Sequence, residues 1–167
     1  MIQRSQGIEV SSDAFATGEE KSGQRIAGFA DRYPAKVLIV EDVIMNQKIA
    51  GMVVERLGYE NVEFANHGEE GAARVNRGDI DLVLMDLQMP VLGGLDATKL
   101  IRNNFGLPRQ PVIIAVTGHA LAGVRDQCLE HGMDGFITKP ISLDDVKTAI
   151  AESFEHAGRK VKTAAPI

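Results

Sequence analysis

The chain has 167 residues, 44% hydrophobic and 25% charged, with a net charge of −5, no tryptophan and one cysteine. These values fit one globular domain with a tail or two, its core built from Val, Ile, Leu, Met and Ala. They exclude a disulfide framework, argue against the basic surface a nucleic acid requires, and leave no apolar run long enough to insert into a membrane.

Residues 1–34 are mixed in charge, rich in Ser, Gly, Gln and Glu, and without sustained periodicity. They read as a flexible tail or linker, with a helical turn conceivable only at Ile26–Phe29. The N-terminus lacks the apolar run of a signal peptide, and Cys128 reads as a small half-buried helix residue, so the expected setting is the cytoplasm. Lys36–Val40 is a short continuous apolar run with β-branched residues, the pattern of a strand buried on both faces. From Met45 to Leu57 the apolar spacing is helical, through Ile49, Met52, Val53 and Leu57, with Gly58 as a stop. Val62–Ala65 reads as a strand, and Asn66 with Glu69 three residues on as a capping pattern opening the next helix.

Leu82–Met85 is another doubly buried strand. Leu95–Ile101 is helical, Pro108 and Pro111 punctuate a loop, and Val112–Val116 is the fourth strand. Leu121–His131 reads as a helix ended by Gly132, and Gly135–Thr138 as the fifth strand. Ser142 caps a last amphipathic helix through Val146, Ile150 and Phe154. Residues 157–167 read as a basic C-terminal tail. Between the tails, residues 35–156 carry 18 acidic and 11 basic side chains, a net of −7. Strict alternation of strand and helix requires right-handed crossovers and a parallel α/β sheet covered on both faces. In such sheets the ligand site lies beyond the carboxyl ends of the strands.

Polar residues follow the apolar runs directly. Glu41 and Asp42 come after the first strand, Asp86 after the third, Thr117 at the end of the fourth, and Lys139 after the fifth. Clustered carboxylates repel one another, and a bound cation relieves them. Oxygen ligands without His or Cys suit Mg²⁺ or Mn²⁺. A carboxylate such as Asp86 can attack phosphorus when a metal and a lysine neutralise the phosphoryl oxygens. Lys139 would supply the fixed charge, and Thr117 a hydroxyl for the phosphoryl group.

In this order, Glu41-Asp42, Met85-Asp86-Leu-Gln-Met89-Pro90 with Gly93-Gly94, Val116-Thr117-Gly118-His119 and Phe136-Ile-Thr-Lys139-Pro140 closely resemble the receiver domain of two-component response regulators. The resemblance covers about residues 35–156. It implies a flavodoxin-like (βα)5 fold with strand order 2-1-3-4-5, a cis bond before Pro140, and phosphoryl transfer from a phosphohistidine to Asp86. It also implies that Asp42, Asp86 and the main-chain carbonyl of Gln88 ligate Mg²⁺, with Glu41 acting through water. Such domains catalyse their own phosphorylation and slow dephosphorylation. In them the hydroxyl matching Thr117 moves toward the phosphoryl group and the aromatic matching Phe136 turns inward, altering the surface of the fourth helix, fifth strand and fifth helix. Gln88 and His119 flank the pocket and are expected to modulate hydrolysis; His67, His131 and His156 read as helix-surface residues.

The motif wording is closest to receivers of hybrid histidine kinases. The expected partners are therefore a histidine kinase or a histidine phosphotransfer protein, with the downstream target open. About 11 residues follow the last helix, too few for a DNA-binding module, so the chain reads as a stand-alone regulator or a hybrid-kinase receiver. Two other classes compete. A haloacid dehalogenase-like phosphatase also uses an aspartate nucleophile, but needs a second Asp where Gln88 stands. A receiver-like binding module would never be phosphorylated at all.

Overall fold

Val37–Val40 (β1), Leu82–Asp86 (β3) and Val112–Thr117 (β4) are buried along their whole length, as continuous apolar runs covered on both faces must be. The computed structural model describes residues 24–158. Val62–Ala65 (β2) and Gly135–Thr138 (β5) are the partly exposed edge strands. All pairs are parallel, in the order β2-β1-β3-β4-β5. This is the expected doubly wound arrangement, with β1 and β3 side by side where the winding reverses.

Register sets the site. Val40 is level with Met85, and Asp86 with Val116. Thr117 is level with Thr138, so Glu41, Asp86, Thr117 and Lys139 leave adjacent strands at nearly one height. Alternate side chains feed two cores. Val37, Ile39, Leu84 and Ile114 pack with Val54 of the helix Ile44–Arg56 (α2), with Leu57 that caps it, and with Val146, Ile150 and Phe154 of Leu143–His156 (α6). Leu38, Val40, Val83, Met85 and Ile113 pack against Gly68–Val75 (α3), Gly94–Arg102 (α4) and Val124–Glu130 (α5).

Several expectations shift. The cap of α3 is His67, whose ring accepts from the Glu70 N–H, while the Glu70 carboxylate reaches back to the Asn66 N–H at 2.7 Å. The capping pair is thus one residue later than Asn66 and Glu69. On α2 the buried positions are Gln47, Ala50, Gly51 and Val54, whereas Ile49 and Met52 are exposed. The turn after β4 runs to Gly123, in the left-handed region at φ 87°, and delays α5 to Val124. The reading of residues up to 34 as tail fails at its inner end. Phe29–Arg32 forms a helical turn (α1), and Phe29 and Tyr33 are only 8% and 3% exposed within the α2–α6 core. Residues 1–23 and 159–167 lie outside the described residues. Among the described residues no helix is long and apolar enough to cross a membrane.

Candidate functional site

Asp86 ends β3 with 4% exposure, and Glu41, one residue beyond β1, has 5%. The Lys139 ammonium stands between them, 2.6 Å from Glu41 Oε2 and 3.0 Å from Asp86 Oδ2. Asp42 is exposed at the rim, and carboxylate oxygens of Glu41, Asp42 and Asp86 all lie within 4.8 Å of one another. Three hard oxygen donors converging in this way fit a divalent cation of the Mg²⁺ type.

The residues around this group hold it in place. The Gln88 N–H donates to Asp86 Oδ1 at 3.2 Å, and the Val43 N–H to Glu41 Oε1 at 3.1 Å. Gly94 lets the start of α4 approach the end of β3; a Cβ there would stand 2.2 Å from the Asp86 carbonyl oxygen. Thr117 is buried, and its hydroxyl accepts the His119 N–H at 3.2 Å. The Lys139 N–H donates to the Thr117 carbonyl at 2.7 Å, and the Lys139–Pro140 peptide bond is cis.

Burial raises the Asp86 pKa, and the Glu41 charge adds to the rise; Lys139 and the Gln88 N–H offset only part of it. Glu41 is also pushed up by burial, but the Lys139 hydrogen bond, the Val43 N–H and Asn46 outweigh this and its pKa falls. Burial lowers Lys139, yet the two carboxylates prevail and keep it protonated. The pocket therefore holds a fixed ammonium beside a carboxylate whose charge is poorly compensated.

Glu41, Asp42, Asp86, Thr117 and Lys139 are brought together at this rim. His119 and Gln88 are exposed at its mouth, and Phe136 is half-buried on β5 against the core beneath α5. Two positioning residues escaped the sequence reading. The buried Gln47 amide donates to the Glu41 carbonyl at 2.7 Å and to Asn66 Oδ1 at 3.1 Å, tying the acidic turn to the end of β2. Asn46 stands beside the Glu41 carboxylate and helps hold its pKa down. Amides in the first helical turn after an acidic pair were the available clue.

A family model for the response regulator receiver domain matches residues 37–151. Hybrid signal transduction histidine kinase G of Dictyostelium discoideum is 38% identical over 116 residues, covering 69% of this chain but 3% of that protein. The receiver domain of a Pseudomonas aeruginosa sensor histidine kinase, solved with a magnesium ion in its active-site cleft, superposes with a TM-score of 0.64 at 32% identity. That match covers 72% of this chain and 98% of the other. The Saccharomyces cerevisiae Ssk1 receiver, co-crystallised with the histidine phosphotransfer signalling protein Ypd1, gives a TM-score of 0.63 at 30% identity, covering 69% and 85%.

Proposed function

The chain belongs to the response regulator receiver domain family, and we propose that Asp86 is its phosphoacceptor, charged from a phosphohistidine. The Lys139 ammonium reaching both Glu41 and Asp86 is the observation that carries this reading. A carboxylate oxygen of Asp86 attacks phosphorus in line. The P–N bond to the donor imidazole breaks, and its electron pair returns to the ring nitrogen. Lys139 is close enough to meet the charge of the arriving oxygens. Glu41, Asp42, Asp86 and the Gln88 main-chain carbonyl would hold Mg²⁺ or Mn²⁺. When bound, that ion neutralises carboxylate and phosphoryl oxygens together.

Thr117 and Phe136 form the switch in this reading. Thr117 gives up the His119 N–H for the phosphoryl group, Phe136 turns inward, and the α5–β5–α6 surface is reshaped for a partner. The donor is a histidine kinase or a histidine phosphotransfer protein, met in the cytoplasm. Ile44, Met45, Val91 and Leu121 are apolar and exposed on loops and helix starts at this same pole, a surface suited to a helical donor. Gln88 and His119 flank the path of the water that later breaks the aspartyl phosphate, so Gln88→Ala or His119→Ala should change the dephosphorylation rate.

Incubation with acetyl phosphate and Mg²⁺, followed by intact mass, tests the assignment. One labile phosphoryl group is expected on the wild type and none on Asp86→Asn. Mg²⁺-dependent phosphate on the Asn variant refutes it. Multiple turnover of a phosphomonoester would instead favour an aspartate-nucleophile phosphatase.

A further inference from the structure

The family match begins at residue 37, yet residues 25–34 are already built onto the domain. We infer that this segment is a strap that couples the state of the Asp86 pocket to the chain preceding it, strap docking and pocket ligation each favouring the other. The inference rests on the reading of Asp86 as phosphoacceptor.

The strap joins the far ends of two helices. At α2 it caps the last turn, the Ile26 N–H donating to the Arg56 carbonyl at 2.7 Å and the Ala30 N–H to the Leu57 carbonyl at 3.2 Å. These are carbonyls a helix end leaves without intrahelical partners. Gly58, at φ 100°, permits the approach, since a Cβ there would stand 3.2 Å from Ala30 Cβ. At α6 the Tyr33 hydroxyl donates to Glu155 at 2.9 Å, and its ring meets Phe154 edge-on at 6.0 Å. Tyr59, which follows α2, donates its hydroxyl to the Tyr33 carbonyl at 2.8 Å, and Phe29 lies edge-on to its ring at 6.4 Å.

The near ends of the same helices carry the opposed charges of the site. Helix α2 follows Glu41 and Asp42, and α6 follows Lys139 and Pro140. A phosphoryl group and a cation at Asp86 redistribute the Lys139–Glu41 pair, and so act on the helix pair that the strap ties at its other end. Both events need α2 and α6 held in one arrangement. Order supplied by one is order the other need not impose, which makes their coupling positive without any large displacement. Coupling between two binding events is reciprocal, so it can be read from either end.

The test uses the full chain with Mg²⁺ and beryllofluoride as the phosphoryl mimic. Hydrogen exchange at the Ile26 and Ala30 amides should slow at least about fivefold on ligation, beyond any slowing at the Ile114 amide in the sheet. Conversely, Tyr33→Phe and Phe29→Ala should bind beryllofluoride at least about fivefold more weakly at saturating Mg²⁺. Circular dichroism checks that each variant is folded, and Tyr33→Phe, which keeps the ring, serves where Phe29→Ala is not. Equal affinity in folded variants, with strap exchange indifferent to ligand, overturns the coupling and leaves the phosphoacceptor intact. Failure of the wild type to bind beryllofluoride removes the phosphoacceptor reading, and the coupling with it.

Discussion

Asp86 is held where its own charge is unwelcome. Its carboxyl is buried, faces the Glu41 carboxylate, and has its pKa raised above the ordinary value of 3.8. A carboxyl that keeps its proton more tightly folded than unfolded costs stability once it ionises. That cost is absent at pH below the ordinary value and develops as pH rises through the folded value. Asp86→Asn should therefore be more stable than the wild type at neutral pH, on the order of 1 kcal/mol, with the difference vanishing near pH 3. Urea midpoints of both proteins at several pH values check this; a variant less stable at pH 7 contradicts it. Gly94 makes the opposite demand, for space. Gly94→Ala sets a Cβ against the Asp86 carbonyl and should cost about 1–3 kcal/mol by overpacking. Gly118→Ala, with nothing within 4 Å of its added Cβ, should stay within about 0.5 kcal/mol in the same denaturation assay. The acidic pair, Asp86, Thr117 and Lys139 were legible in the sequence because each directly follows or ends an apolar run. Gln47 was not, because a polar residue inside a helix looks solvated until the fold brings Asn66 and the Glu41 carbonyl to it.

At the amino-terminal ends of the strands, charged groups tie several elements together. Arg102, in the last turn of α4, donates to the Gly132 carbonyl at 2.7 Å, the Pro111 carbonyl at 2.8 Å and Asp134 at 2.8 Å. It thereby fixes α4 to the starts of β4 and β5. Arg102→Ala removes the donor to the Gly132 and Pro111 carbonyls and the cation beside Asp134, whose Oδ2 still accepts the Ile113 N–H, and should cost about 2 kcal/mol or more in thermal or urea unfolding; Arg102→Lys, lacking the planar fork, should restore only part. A second network joins Lys36, Glu63, Arg74 and Asp79 across β1, β2 and α3. Hydrogen bonds from Arg74 and Lys36 lower the Glu63 pKa to about 2. A depressed carboxylate contributes stability above its ordinary value of 4.5 and loses it as pH falls through the folded value. Between pH 4.5 and 2 the wild type should lose stability more steeply than Glu63→Gln, and salt should narrow the gap because the pair is partly exposed. The strands were readable to within a residue, since doubly buried runs carry no competing pattern. Helix α2 was readable in extent but not in orientation: it is apolar on both sides, and Ile49 and Met52 face outward while Ala50 and Val54 face the sheet.

For the whole molecule, alternation of strand and helix was enough to reach a parallel doubly wound sheet, and therefore the pole at which the site must lie. Where the domain begins was not legible. The strap spans a single helical turn, too short for periodicity to show, and its buried residues Phe29 and Tyr33 sit in a stretch whose Gly, Gln and charged residues read as linker. Only the surface left open by Tyr59 and Phe154 makes them core residues. Both rings are buried, and such side chains contribute about 1.5–3 kcal/mol each. Removal of residues 24–34 would also strip the caps from the α2 carbonyls and leave the Tyr59 hydroxyl without its acceptor. Against a domain stability of about 5–15 kcal/mol, that loss is large. A chain starting at residue 35 should therefore unfold at much lower urea than one starting at residue 24, by about 3–6 kcal/mol in the extrapolated free energy. Equal midpoints for the two would show that the domain closes without its strap, and that the aromatic cluster lies on its surface rather than in its core.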